Sequence, residues 1–118
     1  MSSTDGTKTR ATHAAVLLTL GRLLHNGAPA PFSVELKHYH DTPAVVVYTG
    51  LDAGRAERWA RLLGLPPVAP VGKVYDVTAD GTPWRKWEST GVWLGWDVSV
   101  WCRINVPAPA TVDSAVPA

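Results

Sequence analysis

Tryptophan is the side chain whose number and spacing first suggest chemistry. The 118-residue sequence holds six, and Trp84, Trp87, Trp93, Trp96 and Trp101 crowd towards its end. Trp84-Arg85-Lys86-Trp87 sets two cations between two indoles. Alternation along Val92 to Asn105 puts Trp93 and Trp101 on one strand face with Arg103, and Trp96 on the other with Val98, Val100 and Cys102. Indoles interleaved with cations stack on bases and hold phosphates, or anchor a protein partner. Trp84, Arg85, Lys86, Trp87, Trp93, Trp101 and Arg103 are therefore the candidate binding residues, and packing of the rings within the fold is the competing explanation.

A second cluster, His38, His40 and Asp41, carries ligands of metal type. Two imidazoles at i and i+2 on a strand share a face, but a site needs a third ligand, and nothing in the spacing places His13 or His25 beside them. A solvated strand end running into a turn is the simpler account, so no metal is assigned. Cys102 is in phase with Val100 and Ile104, which makes it a buried small hydrophobe rather than a nucleophile, since a nucleophile needs a base and access. The sequence holds no nucleophile elbow, phosphate-binding loop, zinc-protease helix or dinucleotide fingerprint. No catalytic residue and no cofactor is assigned.

Eleven Lys and Arg against ten Asp and Glu give a net charge of +1, which demotes nucleic acid and anionic membranes as partners. One cysteine excludes an internal disulfide framework and fits a cytoplasmic setting. Lys8 and Arg10 ahead of the apolar stretch Ala14 to Leu20, with Ala28-Pro29-Ala30 beyond it, raise a secretion signal over residues 1–30. Arg22 interrupts that run and argues against it.

The elements that must carry these residues follow from periodicity. Residues 1–9 and the Pro/Ala-rich tail 107–118 offer nothing to bury and are expected to be disordered, leaving 10–106 as one domain. Val16, Leu17, Leu20, Leu23 and Leu24 predict a helix over Arg10 to His25, ended by Asn26-Gly27. Phe32 to Lys37 alternates, Asp41-Thr42-Pro43 turns, and Ala44 to Tyr48 returns as a hairpin. Asp52 caps a second helix to about Leu63, with Arg55, Arg58 and Arg61 on its polar face. Strands are expected over Lys73 to Thr78 and Pro83 to Ser89, hinged at Ala79-Asp80-Gly81-Thr82. The last strand follows Thr90-Gly91. Short connections favour antiparallel hairpins, so the expected fold is α+β, a two-layer sandwich with both helices on one face of an antiparallel sheet. Arg22-Leu23-Leu24 and Arg61-Leu62-Leu63 each end a helix ahead of a hairpin. That echo allows a pseudo-duplicated αββ unit, with chance repetition in an Ala/Arg/Leu/Pro-rich sequence as the alternative.

The run Tyr48 to Pro67, YTGLDAGRAERWARLLGLPP, resembles small αββαββ-type proteins of actinobacterial phages and integrative mobile elements, in which an AERWARLLG-like helix follows a strand pair. The resemblance covers the middle of the chain and implies an accessory role in a bacterial cytoplasm, without implying an activity. The expectation is thus a non-enzymatic interaction protein that binds a protein partner or itself, as a homodimer, through a Trp-rich β-surface. A nucleic-acid-binding accessory factor using the same hairpin is the alternative, and a metal-dependent enzyme at His38 and His40 stands third.

Overall fold

Thr12 begins the first helix because its hydroxyl accepts the Ala15 backbone N–H at 3.1 Å, satisfying one of the donors a helix start leaves open. Helix α1 runs His13–His25, three residues shorter at its start than its apolar period predicts. Asp52 does the same for helix α2, Ala53–Leu62, accepting the Arg55 N–H at 2.9 Å. Leu65 N–H closes that helix on the Ala60 carbonyl at 2.8 Å. The computed structural model describes residues 10–39, 41–75 and 81–106. Expectations for 1–9, His40, Asp76 to Asp80 (the end of the expected Lys73 to Thr78 strand and the start of its turn) and 107–118 lie outside the described residues.

Among these residues five strands form one sheet: β1 (Ser33–Tyr39), β2 (Thr42–Tyr48), β3 (Ala69–Tyr75), β4 (Trp84–Trp93) and β5 (Trp96–Asn105), in the order β1-β2-β5-β4-β3. The α+β class is as expected, but the sheet is mixed rather than antiparallel. β1 pairs antiparallel with β2, and β4 with both β3 and β5, whereas β2 and β5 lie parallel, Val45 beside Val98 and Val47 beside Val100. Hairpin lengths constrain only neighbours in sequence, and the β2–β5 pair joins strands from opposite halves of the chain. β3 also begins earlier than the expected Lys73, at Ala69. It takes Pro70 at a sheet edge, where a missing N–H is tolerated, and its register slips between Val71 and Tyr75.

The last two strands correct the expected phase. Thr90-Gly91 is not a turn but part of β4, where the Leu65 side chain packs over Gly91: a Cβ there would meet Leu65 Cδ2 at 2.6 Å, and the leucine would have to shift. The reversal comes at Leu94-Gly95, with φ of 57° and 80°, a two-residue loop of the kind whose twist suits a hairpin. Trp93 is consequently paired with Trp96 and shares its face, opposite to that expected from a single strand over Val92 to Asn105. Leucine is poorly suited to the left-handed region, and asparagine tolerates it. Leu94→Asn is expected to stabilise the protein by about 1 kcal/mol, measured as a rise in the urea midpoint at unchanged m value. A fall would show that Leu94 makes packing contacts worth more than its backbone strain.

One face of the sheet supplies Val45 and Val47 from β2 and Trp96, Val98, Val100 and Cys102 from β5 to a buried cluster. Val16 and Leu20 of α1, with Ala56, Trp59 and Leu63 near α2, complete it. The two fully buried indoles both find acceptors: Trp59 Nε1 donates to the Pro29 carbonyl and Trp96 Nε1 to the Ala11 carbonyl, each at 2.7 Å. Arg55 and Arg58, expected on a solvated face, donate to the Ala30 and Gly27 carbonyls and so hold the same link that Trp59 grips. No helix among the described residues is long and apolar enough to cross a membrane.

Candidate functional site

Register divides the candidate residues between the two faces. On β4, Trp84, Lys86 and Glu88 lie opposite Asn105, Arg103 and Trp101, away from the buried cluster. Arg85, Trp87 and Trp93 lie opposite Ile104, Cys102 and Trp96, towards it. Trp87 and Trp93 are half-buried and pack against the core, and Arg85 Nη2 donates to the Gly72 carbonyl at 3.0 Å. These three leave the candidate surface. Trp84, Lys86, Trp101 and Arg103 are brought together on the sheet face that the helices do not cover, and all four are half-buried.

Their geometry is a row of linked rings and cations. The Lys86 ammonium lies over the Trp101 ring at 5.0 Å, and the Arg103 guanidinium over the Trp84 ring at 4.6 Å. Such contacts are worth about 0.5–2 kcal/mol each, depending on how far water is excluded. Tyr48, brought beside Trp101 by the parallel pairing, stacks on it with centroids 4.2 Å apart, and Phe32 meets Tyr48 edge-on at 5.3 Å. Lys86 also pairs with Glu88 at 3.5 Å, and Glu88 accepts a hydrogen bond from the Ser99 hydroxyl.

An open groove of about 730 Å³ runs along this face. Its lining includes the Glu35–Lys37 pair, 3.3 Å apart, together with Val46, Ser99 and Trp101. The walls hold cations and carboxylates in close alternation, so the groove offers neither a phosphate track nor a uniformly apolar slot. Phe32, Tyr48, Glu88 and Ser99 belong to the surface but were not candidates. Alternation within β2 does separate Tyr48 from Val45 and Val47, yet only the non-local β2–β5 pairing places it against Trp101.

The other candidates separate. His38 is on the helix-covered face, where its ring stacks on His13 at 4.9 Å, with Trp96 against His13 at 4.8 Å. Here α1 delivers a histidine to the hairpin, which spacing did not reveal. Asp41 is exposed at the β1–β2 turn. Among the described residues, no group of three or more His, Cys, Asp or Glu side chains is placed to hold a metal ion. Cys102 is fully buried. Burial, and secondarily the Asp52 carboxylate, pushes its thiol from 9.0 up to about 11, the opposite of an activated nucleophile. Comparison with protein-family models, curated proteins and solved structures returns no match to this chain.

Proposed function

We propose that the chain is a non-enzymatic interaction protein whose uncovered sheet face binds a protein partner. The observation that carries this reading is the row Phe32, Tyr48, Trp101 and Lys86, continued by Trp84 and Arg103, bordering a groove of mixed charge. Tryptophan and arginine, pre-packed on a rigid sheet, are the residue types that dominate protein interfaces, because they bury much surface while losing little side-chain entropy on binding. Alternating lysines and carboxylates suit a partner segment that itself carries both signs. In this reading the chain is an accessory protein of a phage or mobile element acting in a bacterial cytoplasm. The molecule in this reading is a two-layer sandwich, supported by the packing of residues from both helices against one face of the sheet.

A second reading, single-stranded nucleic acid, rests on the shared face of Trp84, Lys86, Trp101 and Arg103. It is less well supported. The indole faces a base would need are met by the protein's own cations and by Tyr48, and Glu35, Glu88 and Asp97 line the groove where phosphates would run.

The test is affinity capture from a bacterial host lysate with the wild-type protein and with Trp101→Ala/Lys86→Glu as bait, after circular dichroism shows both folded. A single protein should be recovered by the wild type and reduced roughly tenfold or more by the variant. Equal recovery by both baits would remove the open face from the interaction. Saturable tryptophan quenching by mixed-sequence single-stranded DNA, weakening steeply with salt, would overturn the protein reading in favour of nucleic acid.

A further inference from the structure

Strand β1 forms an edge of the sheet with neither a proline nor a bulge to interrupt it, and the charges it carries, Glu35 and Lys37, are of opposite sign. The opposite edge, β3, carries Pro70 and a slipped register. β1 has no proline and keeps an unbroken seven-pair register with β2, from Ser33–Tyr48 to Tyr39–Thr42. A regular edge presents a row of N–H and C=O groups ready to accept another strand.

Two observations specify which strand that is. The first is the order Glu35-Leu36-Lys37 on β1, with both charged side chains on the uncovered face. When two copies of β1 pair antiparallel about a two-fold axis at Leu36, Glu35 of each copy falls opposite Lys37 of the other. Leu36 then meets Leu36 of the second copy, and Val34 lies opposite His38 of the second copy. Both cross-strand charge pairs are attractive in this register, so the strand is complementary to itself.

The second observation is on α1. Its inward residues are Val16 and Leu20, and the flank bearing Ala15 and Thr19 is half-buried. The opposite flank carries Leu17 and Leu24, which are 56% and 42% exposed. His13, one turn before Leu17 and on the same flank, stacks on His38 of β1, whereas α2 lies over β5 and β4, so the leucine flank of α1 is the one turned towards β1. An open strand edge thus runs beside an apolar strip contributed by the helix above it. The same two-fold axis that joins the strands brings the leucine flanks of the two α1 helices towards each other.

We propose that the protein is a homodimer formed by antiparallel pairing of β1 with β1 of a second copy, centred on Leu36. The product is a continuous ten-stranded sheet with all helices on one side and both aromatic-cationic faces on the other. This does not depend on what the open face binds.

Charge reversal followed by sedimentation equilibrium of the full chain tests it. The wild type should be dimeric. Glu35→Lys opposes lysine to lysine in both cross-strand pairs, and Lys37→Glu opposes carboxylates, so either change alone should weaken the dimer roughly tenfold or more while leaving the thermal melt of the monomer intact. An equimolar mixture of the two variants restores both attractive pairs and should re-form a dimer, as should the double swap E35K/K37E. A wild type that stays monomeric over a hundredfold concentration range, single variants as dimeric as the wild type, or a mixture that fails to associate would each overturn the proposal.

Discussion

Replacing Trp59 by alanine is expected to remove about 3–5 kcal/mol of stability, a large fraction of what a domain of this size possesses. The side chain is fully buried between α2 and the sheet, and it does two things at once. Its ring fills the centre of the core, and its Nε1 donates to the Pro29 carbonyl in the link that leaves α1. Truncation leaves a cavity and also strands a carbonyl, and the two costs act on different elements. Trp59→Phe separates them: most of the ring volume stays and the hydrogen bond goes, for an expected loss of roughly 1–3 kcal/mol. Urea denaturation followed by near-ultraviolet and far-ultraviolet circular dichroism measures both variants. A Phe variant as stable as the wild type would show that the Pro29 contact contributes nothing net, and that packing alone fixes the link.

Cys102 is expected to make stability fall as the solution becomes alkaline. In the unfolded chain its thiol loses a proton near 9.0, whereas burial holds it protonated up to about 11 in the folded protein. Between those values the unfolded state binds fewer protons than the native state, so the free energy of unfolding declines with rising pH. The contribution is fully present below about pH 9 and lost by about pH 11, amounting to roughly 2–3 kcal/mol at 1.36 kcal/mol per unit. Lysines and tyrosines titrate over the same interval, so the measurement is the difference in slope between the wild type and Cys102→Ala. The variant should start lower and decline less steeply. Parallel slopes would mean that the native thiol ionises as readily as the unfolded one.

Local signals in the sequence located the elements well. Asp52 caps the second helix as its place in the sequence suggests, the alternation from Trp96 to Asn105 names the core face of β5, and Cys102 lies where its phase puts it, whereas Thr12 caps the first helix inside the span its apolar period predicts. What failed to read was the point at which one pattern stops and another begins. Thr90-Gly91 has turn chemistry, yet Gly91 serves a close approach by Leu65. Leu94-Gly95 makes the reversal although leucine is a poor turn residue. Moving the turn by a few residues carried Trp93 across the sheet. The candidate surface was half legible for the same reason: Trp84, Lys86, Trp101 and Arg103 share a face through local pairing of β4 with β5, but Tyr48 joins them only through a parallel pair that no hairpin rule anticipates. The meeting of His13 with His38 is likewise a product of helix docking.

The central position of β5 decides the order in which the molecule can be assembled. Among the described residues the β1–β2 hairpin and the β3–β4 hairpin share no pairing with each other, and β5 is the strand bonded to both. On a ribosome, therefore, each hairpin emerges with its helix but without a sheet to join, and a two-stranded unit of that size is not stable by itself. The core closes only when Trp96 to Asn105 has been synthesised and slides between strands already made. The β2–β5 pairing joins residues about fifty positions apart, so closing the core is a long-range step of the kind that slows folding relative to local hairpin formation.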